Sequence, residues 1–327
     1  MRPRLRPQSI LLIAGLCLLT GCKHRAQPTD PIVITLQTDW YPQPEQGGFY
    51  DALLKGYYKE EGLDIRIAPG GPYISGEQQV AGGAAQLAMG SSDQVLVAVS
   101  RGLPVIAVAA TMQQDPQAIM LHKESPIQNF ADLNGHSIAV KPGSIWFQYL
   151  VKRYDLANVR EIPATYSVAN FLNDPSYIQQ CFITSEPYFA GRSGAQVRTM
   201  LISDSGYQPY RVVFASTTFL HDHPDLVAKF VRASLRGWRD YLADPAVANA
   251  EISKLNPAMS KDQMQFSTRT LKNDHFITGP DPSQLGHFTP ERWNTLYQQL
   301  SNLKVITNPI DPKTAYTMQF LDTASHQ

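Results

Sequence analysis

The chain has 327 residues, with 28 basic and 28 acidic side chains, 43% hydrophobic residues and three cysteines. At roughly 150 residues per domain this length suits two domains with sizeable cores. Balanced charge gives no basic excess for phosphate contacts, which argues against nucleic acid as a partner. Cys17, Cys22 and Cys181 are too few for a disulfide framework and do not cluster with histidine at metal-ligand spacing, so no metal site is expected.

The first element is an address. Arg2, Arg4 and Arg6 precede the uncharged run Ile10 to Leu19. That run is about half of the roughly 20 residues needed to span a bilayer, so residues 1–21 read as a secretory signal. Leu19-Thr20-Gly21-Cys22 resembles the bacterial lipobox, which implies cleavage before Cys22 and lipid attachment to its thiol. Residues 22–30 lack apolar periodicity and read as a tether. Processing would leave 25 basic against 28 acidic residues, a net charge of −3, with Cys181 as the last free thiol.

Strands then alternate with helices. Ile32 to Gln37 is a β-branched strand, Gly48 to Glu61 a helix stopped by Gly62, and Leu63 to Ile67 a short strand. Helix Ser75 to Gly82, the apolar Leu87-Ala88-Met89, helix Asp93 to Ser100 and strand Val105 to Ala109 follow. After the extended stretch Gln117 to His122 comes a second set. Its strands are Ser137 to Val140, a stretch near Val159, Tyr177 to Thr184 and Val197 to Ile202; its helices are Ile145 to Tyr154, Ser167 to Asn173 and Tyr188 to Gly194. Strand Tyr210 to Ser216 leads into a long helix opened by Pro224 and Asp225, with Leu226, Val227, Phe230, Val231, Trp238 and Leu242 at helical spacing. Pro245 to Lys254, Lys261 to Leu271, Pro290 to Leu300 and Pro312 to Leu321 read as helices. The pattern predicts an α/β protein of two lobes, each a mostly parallel sheet flanked by helices. Lobe 1 comprises residues 31–121 and 210–327, lobe 2 residues 122–209. Two crossings make a hinge, and a cleft there is a favoured ligand site.

A series of short motifs then acquires meaning from its order: Asp39-Trp40-Tyr41-Pro42 after the first strand, Gly56 to Asp64, Ala68-Pro69-Gly70-Gly71, Val80 to Gln86, Ser91-Ser92-Asp93, Arg101 to Val105, Asp132 to Gly135, Thr184 to Tyr188, Gly206-Tyr207 and Phe230 to Leu242. Together they resemble solute-binding proteins of the thiamine-pyrimidine-precursor type, a group that includes the fungal pyrimidine synthase and sulfonate and riboflavin binders. The resemblance implies the two-lobed periplasmic binding protein fold of type II. It also implies a monomer that captures a small molecule outside the cytoplasmic membrane, closes around it and presents it to an ABC permease and ATPase, with no cofactor and no catalysis.

In a doubly wound lobe, ligands sit beyond the carboxyl ends of the strands. Asp39, Trp40 and Tyr41 fall there, and Trp40 offers a stacking face for a heterocycle. Ser92 and Asp93, and in the second lobe Gly143 and Ser144, stand at helix N-termini that could donate amides to a ligand. Gly71 belongs to a loop that could face the ligand or simply turn. Glu186 and Tyr188 are the sharpest second-lobe candidates; the resemblance makes Glu186 a ligand contact, and a carboxylate suits a pyrimidine amino group. Tyr210, Tyr207 and Trp146 are further aromatic candidates. The rival readings are an anionic ligand such as a sulfonate, taurine or nitrate, a sensing role, and a pyrimidine synthase. The last is disfavoured because an ungapped alignment puts Gln94 at that family's catalytic histidine and Gly90 at its cofactor lysine, and this chain has no cysteine cluster.

Overall fold

The computed structural model describes residues 32–321; the expected signal, Cys22 and the tether lie outside them. Ten strands form two five-stranded sheets. The first is built from β1 (Val33–Gln37), β2 (Asp64–Ala68), β3 (Leu87–Ser91), β4 (Val105–Met112) and β10 (Arg211–Ser216). The second contains β5 (Gln117–His122), β6 (Ser137–Val140), β7 (Arg160–Pro163), β8 (Ile178–Phe182) and β9 (Val197–Leu201).

Their orders are β2-β1-β3-β10-β4 and β7-β6-β8-β5-β9, so both sheets share one plan. β1 is parallel to β2 and β3, and β6 to β7 and β8, whereas β10 and β5 each run antiparallel to both neighbours. Each sheet is thus mostly parallel with one reversed strand, and that strand directly follows a passage between the sheets. Because β5 pairs with β8 and β9, the first passage falls at residues 113–116. The stretch Gln117 to His122, which the sequence placed up to residue 121 in lobe 1, thus pairs wholly within the second sheet, because an apolar run reads the same in either sheet.

Both faces of β5 are buried. Ile119 and Leu121 join the large cluster that contains Ile138, Val140 and Phe147, while Ala118 and Met120 pack with Phe171, Cys181 and Ala190. This burial by helices on both sides explains its unbroken apolar sequence. On the first sheet, helix Gly47–Leu54 lies against helix Pro224–Ala243. Glycine permits that approach: a Cβ on Gly48 would overlap Trp238, and one on Gly237 would overlap the Gly48 carbonyl. The single helix expected over Gly48 to Glu61 is broken at Gly56, which has φ 79°. The expected final helix from Pro312 is only the short turn Pro312–Ala315, after which Tyr316 bridges to Ala107.

One side chain braces both passages. Arg292 Nε donates to Gln208 O (2.6 Å), Nη1 to Gln113 O (2.7 Å) and Nη2 to Pro209 O (2.8 Å), while its guanidinium lies 3.7 Å from the Tyr210 ring centre. Five N–H groups in a rigid fork suit this task, and lysine could not reproduce it.

Candidate functional site

A cleft of about 460 Å³ opens between the sheets, beyond the carboxyl ends of β1, β3, β6 and β8, and is lined from both sides. That size lies within the range for drug-sized ligands.

On the first-sheet side, Asp39 and Trp40 follow β1 and line the cleft. Asp39 Oδ2 pairs with Arg211 Nη2 and its Oδ1 accepts from Gln46 Nε2 (3.1 Å). Arg211 is pulled down to about 10 by burial, which still leaves it charged at neutral pH. Its Nη1 also lies 3.8 Å from Asp115 Oδ2. Burial pushes Asp115 up to about 7, although its Oδ1 accepts from the Gln117 amide (3.0 Å). Gly71 lines the cleft as well, and the adjacent Gly70 is required because a Cβ there would overlap Thr38 O.

At the start of helix Ser92–Ser100, Asp93 lines the cleft, but its oxygens are engaged. Oδ1 accepts from the Ser91 hydroxyl and the Gln94 amide (2.9 Å), and Oδ2 accepts from the Tyr207 hydroxyl (2.6 Å). Ser92 is fully buried outside the lining; it exchanges hydrogen bonds with Tyr210, its amide to Tyr210 O and its Oγ from Tyr210 N, both 2.9 Å.

On the second-sheet side, Gly143 (φ 76°) and Ser144 line the cleft before helix Ile145–Arg153. The Ser144 hydroxyl donates back to Lys141 O (2.6 Å), and no side chain caps this helix. Glu186 lines the cleft after β8 and accepts from the Phe182 amide through Oε2 (2.8 Å); burial raises its pKa. Across from it stands Glu45, from the turn after β1. Burial also raises the Glu45 pKa, opposed by a hydrogen bond from Thr184 Oγ1, while the charge of Glu186 adds a smaller upward push. The Glu45–Thr184 bond joins the two sides of the cleft. Glu45 Oε2 is buried with no hydrogen-bond partner among the described residues.

Four expected contacts therefore lie outside the lining: Tyr41, Ser92, Tyr188 and Tyr210. Tyr41 is half exposed and meets the edge of Trp40, with ring centres 5.5 Å apart. Tyr188 turns toward helix Lys261–Asn273, where its ring meets Phe266, its hydroxyl sits 3.1 Å from Ser260 Oγ, and it accepts from Arg192 (2.9 Å). Tyr210 is buried against Phe288 and Trp293 under Arg292, so its ring is taken up by packing at the second passage. Asp39, Trp40, Gly71, Asp93, Gly143, Ser144 and Glu186 do converge, joined by Tyr207 and Trp146. Arg211, Asp115, Glu45, Tyr166 and Gln180 also line the cleft and gave no sequence signal, because single polar residues in strands and turns carry no motif. Gly90 and Gln94 line it too.

Six carboxylates line the cleft (Asp39, Glu45, Glu77, Asp93, Asp115 and Glu186) against two cations, Lys141 and Arg211. Arg211 is already paired, and Lys141 is exposed. Among the described residues, no helix is long and apolar enough to cross a membrane.

Comparison with known proteins places this geometry. The riboflavin-binding protein RibY of Chloroflexus aurantiacus is 27% identical, over 92% of this chain and 89% of that protein. The formylaminopyrimidine-binding protein of Halalkalibacterium halodurans is 24% identical, over 72% of this chain and 75% of its own length. A Saccharomyces cerevisiae protein named 4-amino-5-hydroxymethyl-2-methylpyrimidine phosphate synthase THI11 is 26% identical over 70% of this chain and 73% of its length. Among solved structures, the periplasmic aliphatic sulphonate binding protein SsuA of Escherichia coli superposes with a TM-score of 0.66 at 14% identity, covering 87% of this chain and 92% of that one. This last likeness establishes the periplasmic binding protein fold. The NMT1/THI5 like family matches residues 43–248, well over half of the chain, and the protein belongs to that family.

Proposed function

We propose that this protein is the extracytoplasmic substrate-binding lipoprotein of an ABC importer, anchored through Cys22, whose ligand is an aromatic heterocycle rich in hydrogen-bond donors. The observation that carries this reading is the acidic lining of the cleft, six acidic side chains against a paired arginine and an exposed lysine, with Glu45 Oε2 left unpartnered. An anion such as a sulfonate would meet repulsion with no free buried cation to offset it, whereas ring N–H, amino and hydroxyl donors would find partners. Trp40 supplies the stacking face, and Glu186 and the unpartnered oxygen of Glu45 supply acceptors.

The names of the riboflavin-binding and formylaminopyrimidine-binding relatives support the same class of ligand. A binding role without catalysis is supported by Gly90 and Gln94, which offer neither an amine for a cofactor nor a basic imidazole where the synthase resemblance would need them. The two sheets would act as lobes that close about the passages near residues 113–116 and 202–210, and the closed form would be what the permease and its ATPase recognise. A thermal-shift screen tests the ligand class. Riboflavin or 4-amino-5-hydroxymethyl-2-methylpyrimidine should raise the melting temperature and taurine should not; stabilisation by alkanesulfonates alone would overturn the reading.

A further inference from the structure

Trp40 presents one stacking face, and the residue opposite it was not signalled by any motif. Tyr166 lies in the loop between β7 and helix Ala169–Asn173, on the second-sheet side, yet its ring centre is 5.3 Å from that of Trp40, inclined at 50°. Both residues line the cleft, so the ring pair spans it. Tyr166 is 42% exposed, too open to be a core residue. Its backbone sits in the left-handed region at φ 55°, where a bulky side chain is uncommon and strained. Glycine or asparagine would relieve that strain, and the tyrosine nonetheless stands with its ring over the cleft.

Resting on the heterocycle reading above, we infer that Tyr166 is the second wall of a two-sided aromatic slot and a specificity-determining residue for planar ligands. To admit a flat molecule, the ring centres must part from 5.3 Å to about 7 Å, twice the carbon–carbon contact distance, and the rings must turn from their 50° inclination toward parallel. Tyr166 also lines a small adjoining recess together with Gln180 and Glu186. A ring held in the slot would therefore turn its edge, where its donors lie, toward the Glu186 carboxyl. Selectivity for flat, donor-edged molecules follows from this arrangement.

The test uses purified protein labelled with 5-fluorotryptophan, the Trp40 resonance being identified with W40F, and titrations with riboflavin and 4-amino-5-hydroxymethyl-2-methylpyrimidine. Tyr166→Ala should shift the Trp40 resonance and weaken binding of the planar probe about three- to tenfold, the worth of one aromatic pair. Tyr166→Phe should bind within twofold of wild type, and both variants should keep the wild-type melting temperature or exceed it. Wild-type affinity in Tyr166→Ala would overturn the slot while leaving the heterocycle reading intact. Failure of wild-type protein to bind either probe would overturn both, and the wild-type titration separates the two results.

Discussion

Two junctions of the molecule look alike in sequence and differ in what they do. Ser91-Ser92-Asp93 links β3 to helix Ser92–Ser100, and Gly143-Ser144 links β6 to helix Ile145–Arg153. At the first, every polar side chain is engaged: Ser91 with Gln94 and Asp93, Ser92 with Tyr210, and Asp93 with Tyr207. At the second, Gly143 is exposed and the helix start has no side-chain cap. The first junction is pinned by the returning chain, since Tyr207 and Tyr210 lie in the second passage; the second is held only locally, Gly143 N–H donating to Glu161 Oε1 (3.3 Å) and Ser144 N–H and Oγ closing onto Lys141 O, and no side chain caps the helix amides that follow. A polar helix start is free for a ligand only where no other part of the chain has claimed it.

The largest expected effect tests the pinned side. Asp93→Ala leaves the buried Tyr207 hydroxyl without its acceptor and should destabilise the fold by about 3 kcal/mol in urea unfolding. A loss under 1 kcal/mol would mean that the first junction is as free as the second.

Next is Asp115, which faces the same network. Its native pKa, about 7, lies above its ordinary value of 3.8 because burial disfavours the charge, and the Asp93 charge adds to this. Between about pH 4 and 7 the native state therefore keeps a proton that the unfolded chain has released, so this group's contribution to stability falls as pH rises through that window. Asp115→Asn keeps an acceptor for the Gln117 amide, removes the titration, and should raise stability at pH 8 by about 2 kcal/mol with a flatter profile below pH 7. An unchanged slope in pH-dependent denaturation would remove Asp115 from the account.

On the open side, Glu186→Gln retains an acceptor for the Phe182 amide but gives up the charge. Affinity for an amino-bearing pyrimidine should fall about tenfold by calorimetry, the difference between a charge-assisted and a neutral hydrogen bond. Ser144→Ala is the smallest: stability within about 0.5 kcal/mol of wild type, because its hydroxyl only closes an exposed turn onto Lys141. A large loss of stability there would collapse the distinction between the two junctions.

The two-sheet α/β plan was legible because strand–helix alternation is a local, periodic signal. Short apolar runs such as Gln117 to His122 fit either sheet, and only pairing assigned that one to the second. In the site, Asp39, Trp40 and Glu186 were readable because each follows a strand, where this architecture puts its cleft. Tyr188 and Tyr210 also sit near strand ends, but their rings found apolar partners, Phe266 for one and Phe288 and Trp293 for the other, and burying an aromatic ring there outweighs leaving it in the cleft.

By itself the sequence determined the alternation of elements and the strand ends that could face a ligand, since these follow from periodicity and turn chemistry along neighbouring residues. Tertiary structure alone decided that Arg211 answers Asp39 across 172 positions, that Glu45 meets Thr184 across 139, and that Tyr166 faces Trp40. Those pairings bring together residues far apart in the chain, and no local pattern encodes a contact whose partners are set by how two sheets come to face one another.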